Sequence, residues 1–160
     1  LARLLAHGGA TLFVTDINPT TLAIADELGA TWISPDDAVT TEADVFVPAG
    51  LGGILTAPVI ETLPVRAVCG PANNPLAERA GADALAARGI LYAPDYVVNA
   101  GGVIHLALTE RGESPAEVET RLRGIGGTLA DVLSRAEADG VTPLDAADSL
   151  ALARVTAARA

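Results

Sequence analysis

Four short segments combine polar side chains with glycine, and each follows an apolar run: Asp16-Ile17-Asn18, Ala49-Gly50-Leu51-Gly52-Gly53, Ala72-Asn73-Asn74 and Asn99-Ala100-Gly101-Gly102. A carboxylate that ends the second strand of a dinucleotide-binding unit accepts hydrogen bonds from the adenosine ribose hydroxyls, and Asp16 has that position. A phosphorylated ribose would bring a dianion against it. After Arg3 the next cationic side chain is Arg66, so nothing nearby compensates, and the residues favour NAD over NADP. The competing reading is that Asp16 caps the following helix, although Asn18 already holds that place. Asn73 and Asn99 lie 26 positions apart. An amide both donates and accepts, which suits a carboxamide such as that of nicotinamide. Asn after a strand also serves as a turn residue or a helix cap. Gly101-Gly102 at a helix start lets backbone approach a ligand, or only makes the turn.

The other reactive residue types carry less. His7 and His105 have no partner at metal-ligand spacing and read as a surface residue and a helix-face residue. Cys69 lies in an apolar run and reads as core. Gly124-Ile125-Gly126-Gly127 has the look of a phosphate loop but follows no strand, and Leu129 stands where the third Gly belongs. It reads instead as a place of close helix packing.

The elements that must position these residues alternate along the chain. Ala10-Thr11-Leu12-Phe13-Val14-Thr15-Asp16, Thr31-Trp32-Ile33, Asp44-Val45-Phe46-Val47-Pro48, Val65-Arg66-Ala67-Val68-Cys69-Gly70 and Ile90-Leu91-Tyr92-Ala93 read as strands. Helices between them end at Gly29 and Gly89 and begin at Asn18-Pro19 and after Pro75. Apolar strands separated by helices describe an α/β fold with a doubly wound parallel sheet, of Rossmann type. Polar segments after successive strands then collect at one sheet edge, where such folds bind ligands. From Ser114-Pro115-Ala116-Glu117 onward the pattern is helical. Val118, Leu122, Ile125, Leu129 and Val132 recur at steps of 4, 3, 4 and 3 up to Gly140, and Thr142-Pro143-Leu144-Asp145 opens a last helix. The expected division is a nucleotide-binding part over 1–112 and a C-terminal helical extension over 113–160 packed on it.

Composition narrows the partners. The 160 residues carry 20 acidic and 10 basic side chains, a formal charge of −10, which disfavours nucleic acid and anionic membrane. No apolar run is long enough to span a bilayer and no basic segment precedes an apolar one, so neither a membrane nor an export signal is expected. The single Cys69 excludes an internal disulfide and points to a reducing, cytoplasmic setting. Alanine accounts for 32 residues, so the core is built from small side chains, and there is no Lys.

Val14-Thr15-Asp16-Ile17-Asn18, Ala72-Asn73-Asn74-Pro75-Leu76-Ala77 and, above all, Gly89-Ile90-Leu91-Tyr92-Ala93-Pro94-Asp95-Tyr96-Val97-Val98-Asn99-Ala100-Gly101-Gly102-Val103-Ile104 resemble the leucine, phenylalanine and valine dehydrogenases of the glutamate dehydrogenase superfamily. The resemblance covers nearly the whole chain, including Asp139-Gly140-Val141-Thr142-Pro143. It implies reversible, NAD-dependent oxidative deamination of a hydrophobic L-amino acid to its 2-oxo acid and ammonia, by an enzyme that is a homo-oligomer at full length. It implies that Asp16 and Ile17 hold the adenosine ribose, that Ala49, Gly50 and Leu51 with Ala72 and Asn73 contact the nicotinamide side, and that Asn99 contacts cofactor and substrate. Val103 and Leu106 match positions that shape the substrate side-chain pocket. Two departures stand out: Ala49-Gly50 where the family commonly has Cys-Ala, and Pro71 where it has a small residue.

The family's general-base Lys, carboxylate-binding Lys and catalytic Asp belong to an amino-terminal domain. A chain without Lys holds none of that lysine machinery, so no catalytic residue is expected within it. The Gly-rich loop and first strand would precede Leu1, so the expectation is a sheet lacking its first strand. In the order 3-2-1-4-5-6 that strand is central, and the strands ending at Asp16 and Pro48 then have no common neighbour. Their unpaired backbone groups would make residues 1–160 unstable alone. Two other readings stay open: a non-catalytic nucleotide-binding module, and a hydroxy-acid dehydrogenase, which would need His105 beside the nicotinamide.

Overall fold

The computed structural model describes residues 1–159. They divide into two compact units, residues 1–43 with 62–64, and residues 44–61 with 65–159.

In the first unit, helix α1 (Ala2–His7) precedes strand β1 (Phe13–Val14), helix α2 (Leu22–Leu28) and strand β2 (Thr31–Trp32). β1 and β2 pair in parallel, Phe13 opposite Thr31 and Val14 opposite Trp32. A single turn of tighter helix, Pro19–Thr21, leads into α2, and the Asn18 carboxamide caps it by accepting from the Thr20 N–H at 3.1 Å. Gly29 ends α2 at φ +62°, a left-handed conformation that costs glycine nothing. The Arg3 guanidinium pairs with Glu27 at 2.6 Å and ties α1 to α2. Ala25 and Leu63 are the unit's buried apolar residues among those described, whereas Leu4, Phe13 and Ile17 are exposed.

In the second unit, strands β3 (Val45–Phe46), β4 (Ala67–Val68) and β5 (Leu91–Tyr92) form a parallel sheet in the order β3-β4-β5. Val45 faces Ala67, and Ala67 faces Leu91. Helix α3 (Ala57–Thr62) follows β3 and runs to the unit boundary; α4 (Gly81–Ala87) connects β4 to β5. Then come α5 (Asp95–Val98), α6 (Gly101–Glu110), α7 (Pro115–Asp139) and α8 (Pro143–Ala157). Val68 and Leu85 are fully buried, and Ile60, Ile90 and Tyr92 nearly so. A second cluster joins Val97 of α5 to Val132 and Ala136 of α7 and Ala146 and Ala147 of α8, with Leu129 and Leu150 against it. At one end of α7, Ser114 and Glu117 form the expected reciprocal cap; at the other, Gly140 closes it at φ +65°. Of the apolar stripe on α7, Val118 and Val132 are buried and Leu122, Ile125 and Leu129 half-buried.

The α/β class with parallel pairing is as the alternation predicts. β1 and β3 belong to different sheets, and no strand among the described residues pairs with both. Three expectations need correction. The paired stretches are two residues each, because a ladder extends only where a neighbour's backbone answers it. The helix expected directly after Pro75 starts at Gly81, since Leu76 bridges to Leu55 and the Ala77 N–H donates to the Leu55 carbonyl at 3.1 Å. Gly124, Gly126 and Gly127 do not serve close packing: a Cβ at any of them would meet nothing within 4 Å in this chain.

Candidate functional site

In the first unit Asp16 follows β1 and is exposed. Its Oδ1 accepts from the Asn18 N–H at 2.8 Å, a local turn that fixes the side chain, while the cap of the following helix is Asn18 and not Asp16. No side chain among the described residues occupies its other oxygen, so the carboxylate retains acceptor capacity toward solvent. Ile17 beside it is 90% exposed, an unusual place for a large apolar side chain. The Thr15 hydroxyl is buried without a partner.

In the second unit, the segments after β3, β4 and β5 are laced together at the carboxyl end of the sheet. The Ala72 N–H donates to the Pro48 carbonyl at 3.0 Å, Gly53 N–H to the Asn74 carbonyl at 2.8 Å and Leu55 N–H to the Pro75 carbonyl at 2.9 Å. Glycine is required for this closeness. A Cβ on Gly70 would lie 2.3 Å from the Pro48 oxygen, and one on Gly52 would lie 2.7 Å from the Asn73 oxygen. The loop carrying Ala49, Gly50 and Leu51 is exposed, Leu51 at 88%, and Ala72 beneath it is buried.

The Asn99 Nδ2 donates to the Asn73 Oδ1 at 2.7 Å. The two amides thus spend one donor and one acceptor on each other, leaving three N–H donors and the Asn99 oxygen for a ligand. Asp95 is bonded to the neighbour of one and to the other through its carbonyl, which takes the Asn99 N–H at 2.8 Å. It accepts from the Asn74 N–H at 2.8 Å and from the Tyr92 hydroxyl at 3.2 Å. Burial, and then the nearby Asp95 charge, push the Tyr92 phenol well above its ordinary range, so it remains a donor.

α8 is fastened beside this edge. Arg79 pairs with Asp145 and Asp148, each at 2.6 Å, and the Tyr96 hydroxyl donates to Asp148 at 2.5 Å. A Thr142 hydroxyl bond and then Arg79 hold the Asp145 carboxyl below its usual range. Val103 and Leu106, three residues apart on α6, are 74% and 64% exposed. His105 of the same helix lines a groove of about 410 Å³ with Thr109, Glu113, Pro115, Val118 and Leu122, and makes no bond to the Asn73–Asn99 pair.

The structure therefore brings the 49–53 loop, Ala72, Asn73 and Asn99 into one bonded cluster, and it describes Asp16 and Ile17 within the other unit. Sequence reasoning missed Asp95, Tyr92, Arg79 and Asp148. Tyr92 and Asp95 at a spacing of three were a visible signal; the Asn74 and Arg79 contacts span 21 and 66 positions and left none. No group of His, Cys, Asp or Glu among the described residues could hold a metal ion, and no helix among them is long and apolar enough to cross a membrane.

Residues 9–160 match the model of the Glutamate/Leucine/Phenylalanine/Valine dehydrogenase family. The chain is 40% identical over 154 residues to a phenylalanine dehydrogenase of Caldalkalibacillus thermarum (strain TA2.A1), covering 92% of this chain and 42% of that one. It is 38% identical over 156 residues to a leucine dehydrogenase of Bacillus subtilis (strain 168), covering 97% and 43%. The crystal structure of L-tryptophan dehydrogenase from Nostoc punctiforme superposes with a TM-score of 0.94 at 35% identity, over 99% of this chain and 49% of that one. The chain thus spans less than half the length of these relatives.

Proposed function

Because the chain belongs to the Glutamate/Leucine/Phenylalanine/Valine dehydrogenase family, we propose that it is the cofactor-holding part of an NAD-dependent amino acid dehydrogenase acting on a hydrophobic L-amino acid. The observation that carries this reading is the Asn73–Asn99 pair, with unspent amide donors and acceptors at the carboxyl end of a parallel sheet. The donor set fits the group. Amides suit a carboxamide, the Gly52 and Gly70 positions admit no side chain, and Asp16 keeps an acceptor for a ribose hydroxyl. When bound, NAD supplies the acceptor for the hydride leaving the amino acid's Cα.

This chain's residues bind and orient. Asp16 accepts from the adenosine ribose, with Ile17 packed beside it, and repels a 2′-phosphate. Ala49, Gly50, Leu51 and Ala72 approach the nicotinamide ribose through backbone, and Asn73 and Asn99 fix the carboxamide, Asn99 reaching the substrate as well. Val103 and Leu106 offer an apolar wall to the substrate side chain. Residues 1–112 do this work and 113–160 brace them. With no Lys in the chain, the proton transfers of deamination fall to residues outside it.

The test is an assay of the full-length protein with NAD or NADP against leucine, valine, phenylalanine, tryptophan and glutamate. Turnover of an apolar amino acid with NAD preferred is the expected result. Preference for NADP overturns the Asp16 assignment, and NAD binding without oxidation of any amino acid overturns the enzyme reading in favour of a binding module. Asn73→Ala is expected to raise KM for NAD about tenfold, the worth of a good hydrogen bond in a closed site.

A further inference from the structure

Asp95 opens α5 and is half-buried, and its three oxygens hold three different groups. One carboxylate oxygen takes the Asn74 N–H and the other the Tyr92 hydroxyl. Its backbone carbonyl takes the Asn99 N–H at 2.8 Å, one helical turn on. Asn74 is the one described non-glycine residue with positive φ, at +50°. Asn tolerates that conformation better than most residues but still needs its surroundings to hold it there. Here the surroundings are two bonds: the carboxylate of Asp95 on the N–H, and the Gly53 N–H on the carbonyl. The turn at Asn74 sets the direction in which Asn73 leaves the backbone, and Asn73 meets Asn99 at 2.7 Å. One residue thus grips Asn99 through its main chain and, through its side chain, Asn74, the neighbour of Asn73.

We propose that Asp95 is a positioning residue: by holding the left-handed turn at Asn74 and the N–H of Asn99 it sets the geometry of the Asn73–Asn99 pair. The proposal rests on the reading above only for its kinetic consequence. A charged acceptor holds a backbone N–H more firmly than a neutral one, so Asp95→Asn keeps the shape and weakens the grip, and Asp95→Ala removes the side-chain grip. Tyr92, kept protonated by its burial, holds the carboxylate in turn.

The experiment uses the full-length protein, NAD as the probe, and four variants: Asp95→Ala, Asp95→Asn, Asn73→Ala and the Asp95→Ala/Asn73→Ala double. Asp95→Ala is expected to raise KM for NAD about tenfold, with Asp95→Asn in between, consistent with one charge-assisted hydrogen bond. The double variant is expected to be no worse than the worse single one, because both changes disable the same pair. A multiplicative double variant overturns the proposal. A second readout needs no cofactor: the side-chain amide resonance of Asn99 should shift in Asp95→Ala while the Val68 and Leu85 backbone resonances stay in place. An unmoved Asn99 signal overturns the proposal. If that signal moves and Asn73→Ala leaves KM for NAD unchanged, the positioning role stands and the nicotinamide assignment of the pair fails.

Discussion

The segments α2–Gly29–β2 and α4–Gly89–β5 are built alike and end up in different surroundings. Each helix has seven residues, each is followed by a glycine with φ near +65° (at the cap itself in α2, one residue past the Arg88 cap in α4), and each hands over to a parallel strand. Even the closing bond is the same: Ala30 N–H to the Ala25 carbonyl in one, Ile90 N–H to the Leu85 carbonyl in the other, both at 2.9 Å. Yet α4 buries Ala82 and Leu85, and its strand ends on Tyr92 at 3% exposure. α2 buries Ala25 alone, with Leu22 and Ile24 left partly in solvent. Similar local chemistry makes similar elements; it does not supply a core. β4 has a strand on each side, and β1 has one neighbour.

Truncation at buried and exposed apolar positions should separate the two units most. Leu85→Ala is expected to cost about 3 kcal/mol, as a cavity in a packed core does. Ile17→Ala should stay within about 0.5 kcal/mol. Urea denaturation measures both, and equal costs would break the comparison. Glycine substitutions sharpen it within the second unit. Gly70→Ala drives a Cβ into the Pro48 backbone and should destabilise by about 2 kcal/mol. Gly126→Ala, with open space around it in the chain, should stabilise α7 by about 0.5–1 kcal/mol. Thermal melts that move in the same direction for both would show that the spacing around these glycines is misread.

The ionic groups give smaller effects. Asp145 titrates below its ordinary value in the folded protein, so its stabilisation is whole above 3.8 and is lost as pH falls through the lower folded value. Asp145→Asn should therefore flatten the acid limb of the stability–pH curve, and an unchanged limb would remove Asp145 from the bracing of α8. Smallest of all is the first unit's Arg3–Glu27 pair, both side chains more than half exposed. Glu27→Gln should change stability by no more than about 0.5 kcal/mol, and less still in high salt.

Much of this was legible in the sequence where the cause is local. Asn18, Ser114 and Thr142 announce their helices because a side-chain oxygen answers an N–H two or three residues on. Gly29, Gly89 and Gly140 announce helix ends because only a residue without Cβ turns left-handed freely. That Asn73 and Asn99 share one edge was suggested by both residues following strands of a parallel sheet; that they bond to each other was not. The rest depended on distance. Nothing near Asp95 in sequence signals that its carboxylate will meet Asn74. Nothing in the glycines of α7 told close packing from open surface, because that is decided by neighbours from elsewhere in the chain.

Cys69, the chain's single thiol, has a practical consequence. Its N–H belongs to the ladder, donating to the Phe46 carbonyl at 3.1 Å, and burial pushes its thiol up, so at neutral pH it is a poor nucleophile while the strand is paired. The residue is only half-buried, so opening that rung raises the exposure of a thiol already partly open to a labelling reagent. A thiol-labelling reagent followed by mass therefore reports, at a single site, on the end of the middle strand of the three-stranded sheet.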